Sequence, residues 1–97
     1  MDDATKQTVW GAVGRAALRV GGGEHGAGSG TSYSIPEATW ATFPRILTRE
    51  LGAGWDATAV GGPTSNSVRV NGPNVTALLK GERAGDGKVI RRLMLEG

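Results

Sequence analysis

Eight of the eleven basic residues are arginine, and four of these fall in two pairs, Arg15 with Arg19 and Arg45 with Arg49. A spacing of four places both members of a pair on one side of a helix. A guanidinium presents a planar fork of donors that matches phosphate or carboxylate. Arg69, Arg91 and Arg92 add cations towards the C-terminus, beside Lys80, Arg83 and Lys88 and against Glu82, Asp86 and Glu96. The net charge is only +2, but two of the nine acids stand at Asp2 and Asp3, so residues 4–97 carry eleven bases against seven acids. Such groups can recognise an anion. The sequence therefore nominates Arg15, Arg19, Arg45, Arg49, Arg69, Arg91 and Arg92 as a nucleic-acid-binding set, with DNA or RNA as partner and phosphate as the contacted group. The plain alternative is a solvated surface of ordinary charge.

Other constellations carry less. Gly21-Gly22-Gly23-Glu24-His25-Gly26 satisfies the spacing of a dinucleotide-binding fingerprint. That motif needs a strand before it and a helix directly after it. Here a helical pattern precedes it, and with six glycines in residues 21–30 the match is nearly forced. No phosphate-loop lysine follows. His25 is the sole histidine and the chain has no cysteine, so no metal site and no cofactor is nominated. Ser29, Ser32 and Asp56 are not brought to His25 by any motif, and Glu37, Glu50 and Asp56 form no recognisable acid–base pair. No catalytic residue is nominated, and the expected function is non-catalytic binding.

These side chains need elements to position them. Val9, Val13, Ala17 and Val20 recur at helical spacing, with Trp10 and Leu18 broadening the stripe, so residues 4–20 read as a helix. Gly11 and Gly14 weaken that helix and leave room for another element to approach. Arg15 and Arg19 share a face with Thr8 and Ala12, expected to be wet. Residues 21–33 read as a flexible glycine-rich loop. Residues 34–51 read as a second helix, opened by a Ser34–Glu37 capping box and lined by Trp40, Phe43, Leu47 and Leu51. Pro44 should kink it, or restart it with Thr42 as the new cap.

From residue 53 the punctuation changes. Trp55–Val60, Ser67–Val70 and Val75–Leu79 are short β-type runs separated by glycine, proline and asparagine turns. Lys88–Leu95 fits a fourth strand with Val89, Arg91, Leu93 and Leu95 on one face, or a short helix; the strand is preferred. Residues 74–80 also fit a capped helix. The fold expected is α+β in a single small domain: an N-terminal helix, a glycine-rich loop, a kinked second helix, then an antiparallel sheet of three or four strands. The core should hold Trp10, Val13, Ala17, Trp40, Phe43, Leu47, Leu51, Val60, Val68, Val70, Leu79 and Leu93. Trp55, after Gly52-Ala53-Gly54, is the aromatic nominated for an exposed contact.

The element order over about residues 34–80 resembles that of winged-helix nucleic-acid binders. That resemblance implies a groove-facing helix at 43–51 and a wing at 61–67. The competing class is a protein-interaction module, an accessory, inhibitor or assembly subunit acting through an apolar patch or an edge strand. No run approaches the roughly 18 apolar residues that span a bilayer. The acidic start lacks the form of a secretory signal, so no membrane partner is expected and a cytoplasmic location is.

Overall fold

The computed structural model describes residues 3–25, 31–62 and 65–96 of the chain, without the side chains of His25, Leu95 and Glu96. Helix α1 spans Asp3–Arg19 and helix α2 spans Phe43–Leu51. The strands are β1 (Gly23–His25), β2 (Ser32–Pro36), β3 (Asp56–Val60), β4 (Ser67–Gly72), β5 (Val75–Ala84) and β6 (Gly87–Glu96). They form one antiparallel sheet in the order β1-β2-β6-β5-β4-β3. The class is α+β, with six strands where three or four were expected.

Helix α1 lies where its periodicity puts it. Asp3 in its first turn and Arg19 in its last both suit the helix dipole. Its buried stripe is made of Val9, Ala12, Val13, Gly14, Ala16 and Ala17, nearly all small. Ala12 thus belongs to the core, not to a wet face. Leu18 is exposed. A stripe this lean lets the helix axis approach the sheet. At Gly14 the approach is closest, because a Cβ there would stand 2.9 Å from the Tyr33 ring and hydroxyl. Tyr33 in turn packs against Trp10, with ring centroids 5.3 Å apart.

The largest departure from the sequence reading falls at residues 21–42. The glycine-rich loop contains β1, and the expected start of the second helix is β2. Tyr33 and Ile35 alternate with Ser34 and Pro36, a period of two. Proline also biases the residue before it to extended backbone. The capping box does not form: Ser34 lies inside β2 and its hydroxyl donates to the Gly23 carbonyl at 3.2 Å. A short 3-10 turn, Glu37–Thr39, then leads into α2. Pro44 stands in the first turn of α2, where its missing N–H costs nothing, so the helix begins there and has no kink. Thr42 is its N-cap position but makes no side-chain cap bond. Residues 26–30 of the expected loop lie outside the described residues.

Lys88–Leu95 is a strand, as preferred, within Gly87–Glu96, and residues 75–80 belong to a strand as well. One irregularity reshapes this hairpin. Lys80 pairs with Arg92 but Gly81 pairs with Ile90, which leaves Arg91 as an extra residue in β6. Val89, Arg91 and Leu93 therefore do not share one face. Ile90 and Leu93 turn to the helices, while Arg91 and Arg92 turn away.

Both helices cover the same face of the sheet. Ile35, Ala57, Val68, Val70, Leu79 and Ile90 meet Val9, Val13, Phe43 and Leu47 in one buried cluster. Trp40 is buried and stacks on Phe43 at 5.8 Å. Trp10, Leu51, Trp55 and Leu93 are only half-buried at its margin. Val60 is half-buried too and falls on the opposite face, opposite Ser67. Neither helix packs on the opposite face where β4 and β5 carry Arg69, Leu78 and Lys80, although at the β2–β6 end Ser32 and Val89 fall on that face and are buried.

Two predictions follow from the Gly14–Tyr33 contact. Gly11→Ala should raise stability by up to about 1 kcal/mol, since its Cβ meets only the flexible Arg15 side chain at 3.4 Å. Gly14→Ala should lower it by about 1–3 kcal/mol, because the Tyr33 ring must move; urea denaturation of both variants measures the difference. Burial, and secondarily Glu24, holds the Tyr33 hydroxyl above its ordinary 10.0. Its stabilising contribution is complete below that value and is lost as pH rises through the folded-state value. Tyr33 is the sole tyrosine, so Tyr33→Phe should lose less stability than the parent between neutral pH and that alkaline range.

Candidate nucleic-acid interface

The structure distributes the nominated arginines over three places. Arg15 and Arg19 project from α1 onto one carboxylate of α2. Arg15 Nε lies 3.0 Å from Glu50 Oε1, and Arg19 Nε lies 2.5 Å from Glu50 Oε2. Arg15 also donates to the Glu50 carbonyl at 3.4 Å. Glu50 is largely covered, at 14% side-chain exposure, so the two guanidinium groups clamp it between the helices. Sharing this carboxylate, the pair joins α1 to α2.

Arg45 and Arg49 stand exposed on α2 and make no ion pair among the described residues. They border a groove between α2 and β3 rather than a helix-turn-helix. Two strands and a 3-10 turn separate α1 from α2, which removes the winged-helix arrangement of helices.

Arg69, Arg91 and Arg92 come together on the uncovered sheet face. Alternation along β4 puts Val68 and Val70 on the helices and Arg69 on the other side, opposite Thr58 and Leu78. Lys80 joins them, two residues beyond Leu78, and stands directly opposite Arg92. The extra residue in β6 adds Arg91, whose Nε donates to Glu82 Oε1. A shallow depression of about 280 Å³ is lined by Lys80, Gly81, Glu82, Arg91 and Arg92. Four cations thus share with Glu82 a surface that crosses β4, β5 and β6, and Asp56 of β3 falls on the same face. Neither Lys80 nor Arg92 has a counter-ion among the described residues, although like charges directly opposite each other on a sheet repel. Leu78, half-buried, and Met94, exposed, are apolar residues of this face beside the cations.

Lys80 was absent from the nominated set, because neither its face nor the bulge is visible without the pairing register. Lys88 behaves in the opposite way. It is 2% exposed, its ammonium donates to the Ser65 carbonyl at 2.6 Å and lies 4.6 Å over the Trp40 ring. It ties the β3–β4 connection to the core and adds nothing to the surface charge. The Trp40 indole Nε1 beside it is buried with no hydrogen-bond partner among the described residues.

Trp55 is not a stacking platform on this surface. Its ring lies on Gly72, where an added Cβ would stand 2.5 Å away, and both residues fall on the helix side of the sheet. The His25 side chain is outside the description. Among the described residues no cluster of three or more metal-ligating side chains occurs, and no helix is long and apolar enough to cross a membrane.

No protein-family model matches the chain, and neither a curated protein nor a solved structure is detectably similar to it.

Glu50→Gln should cost about 1 kcal/mol of stability, the usual scale for partly exposed pairs. The loss should shrink at high salt, where such pairs are screened in the parent as well. Thermal melts of both proteins at low and high salt measure it.

Proposed function

We propose that this protein is a non-catalytic nucleic-acid-binding protein that lays the phosphate backbone of a single strand across its uncovered sheet face. The observation that carries the reading is the direct opposition of Lys80 and Arg92, unneutralised and extended by Arg91 and Arg69. A phosphate between Lys80 and Arg92 removes their repulsion and gains charge-assisted hydrogen bonds. The remaining cations continue the positive track across neighbouring strands, which suits a polyanion better than an isolated ion.

The face has no aromatic ring among its described residues, so base stacking contributes nothing there. Binding should follow phosphate charge and be nearly indifferent to sequence, with DNA and RNA alike as ligands. A sheet face wider than a two-stranded ribbon does not enter a duplex groove, which favours a single strand. Leu78 and Met94 offer an apolar floor for sugar and base edges.

The test is fluorescence anisotropy with labelled single- and double-stranded oligonucleotides between about 50 and 200 mM salt. Lys80→Ala with Arg92→Ala should weaken single-strand binding and reduce the magnitude of the log–log salt slope by about 1–2. Arg45→Ala with Arg49→Ala should leave both nearly unchanged. No binding by the parent at low salt, or equal binding by the Lys80/Arg92 variant, would overturn the proposal.

A further inference from the structure

A second surface lies at the edge of the sheet and is independent of the basic face. Strand β3 pairs with β4 on one side only. On its other side the neighbour is α2, and the two enclose a groove of about 550 Å³. Ala57 and Ala59 form its floor and Arg45, Thr48 and Arg49 its helical wall. The contacts of Thr48 show which backbone groups of β3 face this groove. The Ala57 N–H donates to Thr48 Oγ1 at 2.9 Å, and that hydroxyl donates to the Pro44 carbonyl at 2.9 Å.

Antiparallel pairing alternates, so residues whose polar groups face outward recur every second position. Ala57 and Ala59 therefore aim their N–H and C=O groups at the groove, while Asp56, Thr58 and Val60 serve the β4 ladder. Thr48 occupies one of these outward groups, the Ala57 N–H. The Ala57 carbonyl and both polar groups of Ala59 remain for a further strand.

The charge of the wall selects the partner. Arg45 and Arg49 are exposed, without ion pairs among the described residues, and lie along the groove. The acidic residue that borders it is Asp56, whose side chain alternation turns to the opposite sheet face. The small side chains of Ala57 and Ala59 leave the floor open to the partner's own side chains.

We propose that the α2–β3 groove binds an extended acidic peptide segment of a protein partner, which adds a short strand to β3. The peptide pairs with Ala57 and Ala59, and its carboxylates lie against Arg45 and Arg49. Backbone pairing supplies affinity and the two guanidinium groups supply the preference for acid, the division of labour usual in strand addition.

A labelled, end-blocked synthetic peptide alternating glutamate with valine serves as the probe, with its lysine counterpart as the control. Both are titrated with the full chain in anisotropy. Two variants separate the two contributions. Arg45→Glu with Arg49→Glu reverses the wall charge at exposed positions. Ala59→Pro removes an outward N–H on an edge strand, where the β3–β4 ladder does not use it.

The acidic peptide should bind and the basic one should not, and each variant should weaken binding by about tenfold or more, equivalent to about 1.4 kcal/mol. Lys80→Ala with Arg92→Ala should leave peptide affinity unchanged, which separates this groove from the nucleic-acid face. The proposal is overturned if the acidic peptide fails to bind. It is overturned equally if both peptides bind alike, if the Arg45/Arg49 reversal has no effect, or if the Lys80/Arg92 variant abolishes binding. Should Ala59→Pro melt far below the parent, the charge reversal alone decides.

Discussion

The structure depends on one-sided burial. A six-stranded sheet has two faces, and this chain has apolar side chains enough for one. The stripe of α1 is mostly alanine and glycine, and α2 contributes Phe43 and Leu47. These meet Val68, Val70, Leu79 and Ile90 from the sheet in the buried cluster. Helix α1 must therefore lie close to its strands, which is the physical reason for Gly14 beneath the Tyr33 ring. The Glu50 clamp supports the same arrangement from outside by joining α1 to α2 through Arg15 and Arg19. Thr58, Arg69, Lys80 and Arg92, at alternate strand positions, are then turned to the other face.

The irregularity in β6 decides what that face carries. Without an extra residue, Arg91 and Arg92 would stand on opposite sides of the sheet, and one of them would point under the helices. With it, both turn outward beside Lys80, and Ile90 and Leu93 both keep to the helix side. A bulge thus reconciles a core requirement with a cluster of cations. Lys88 shows the contrasting solution, a cation accepted on the buried side because a carbonyl and an indole ring receive it.

The legible parts of the sequence were those where one local signal dominated. The 3.6 period from Val9 to Val20 located α1, and the turn residues after position 53 located β3, β4 and the start of β5. Glycine at 11 and 14 signals room for a neighbour, and at Gly14 the Tyr33 ring fills it. Strand β2 was missed because Ser34, Pro36 and Glu37 imitate a helix start, while its evidence is only the alternation of Tyr33 and Ile35. Strand β1 is mostly glycine and charge, and it is a strand only because β2 pairs with it. The site suffered from the same limit. Helical spacing correctly placed Arg15 beside Arg19 and Arg45 beside Arg49, but not Glu50 across from the first pair. Lys80 and Arg92 meet only through a pairing register, which no local pattern contains.

The uncovered sheet face and the α2–β3 groove lie on different sides of β3, so a nucleic acid and a peptide need not compete. Nucleic-acid binding is proposed for the first of these. Its most direct measurement is an amide and arginine side-chain NMR titration of the full chain with a short single-stranded oligonucleotide. Shifts should concentrate at Thr58, Arg69, Leu78, Lys80, Arg91 and Arg92, with α1 and α2 nearly still. Shifts centred on Arg45 and Arg49, or on Arg15 and Arg19, would contradict it, as would no shift at low salt.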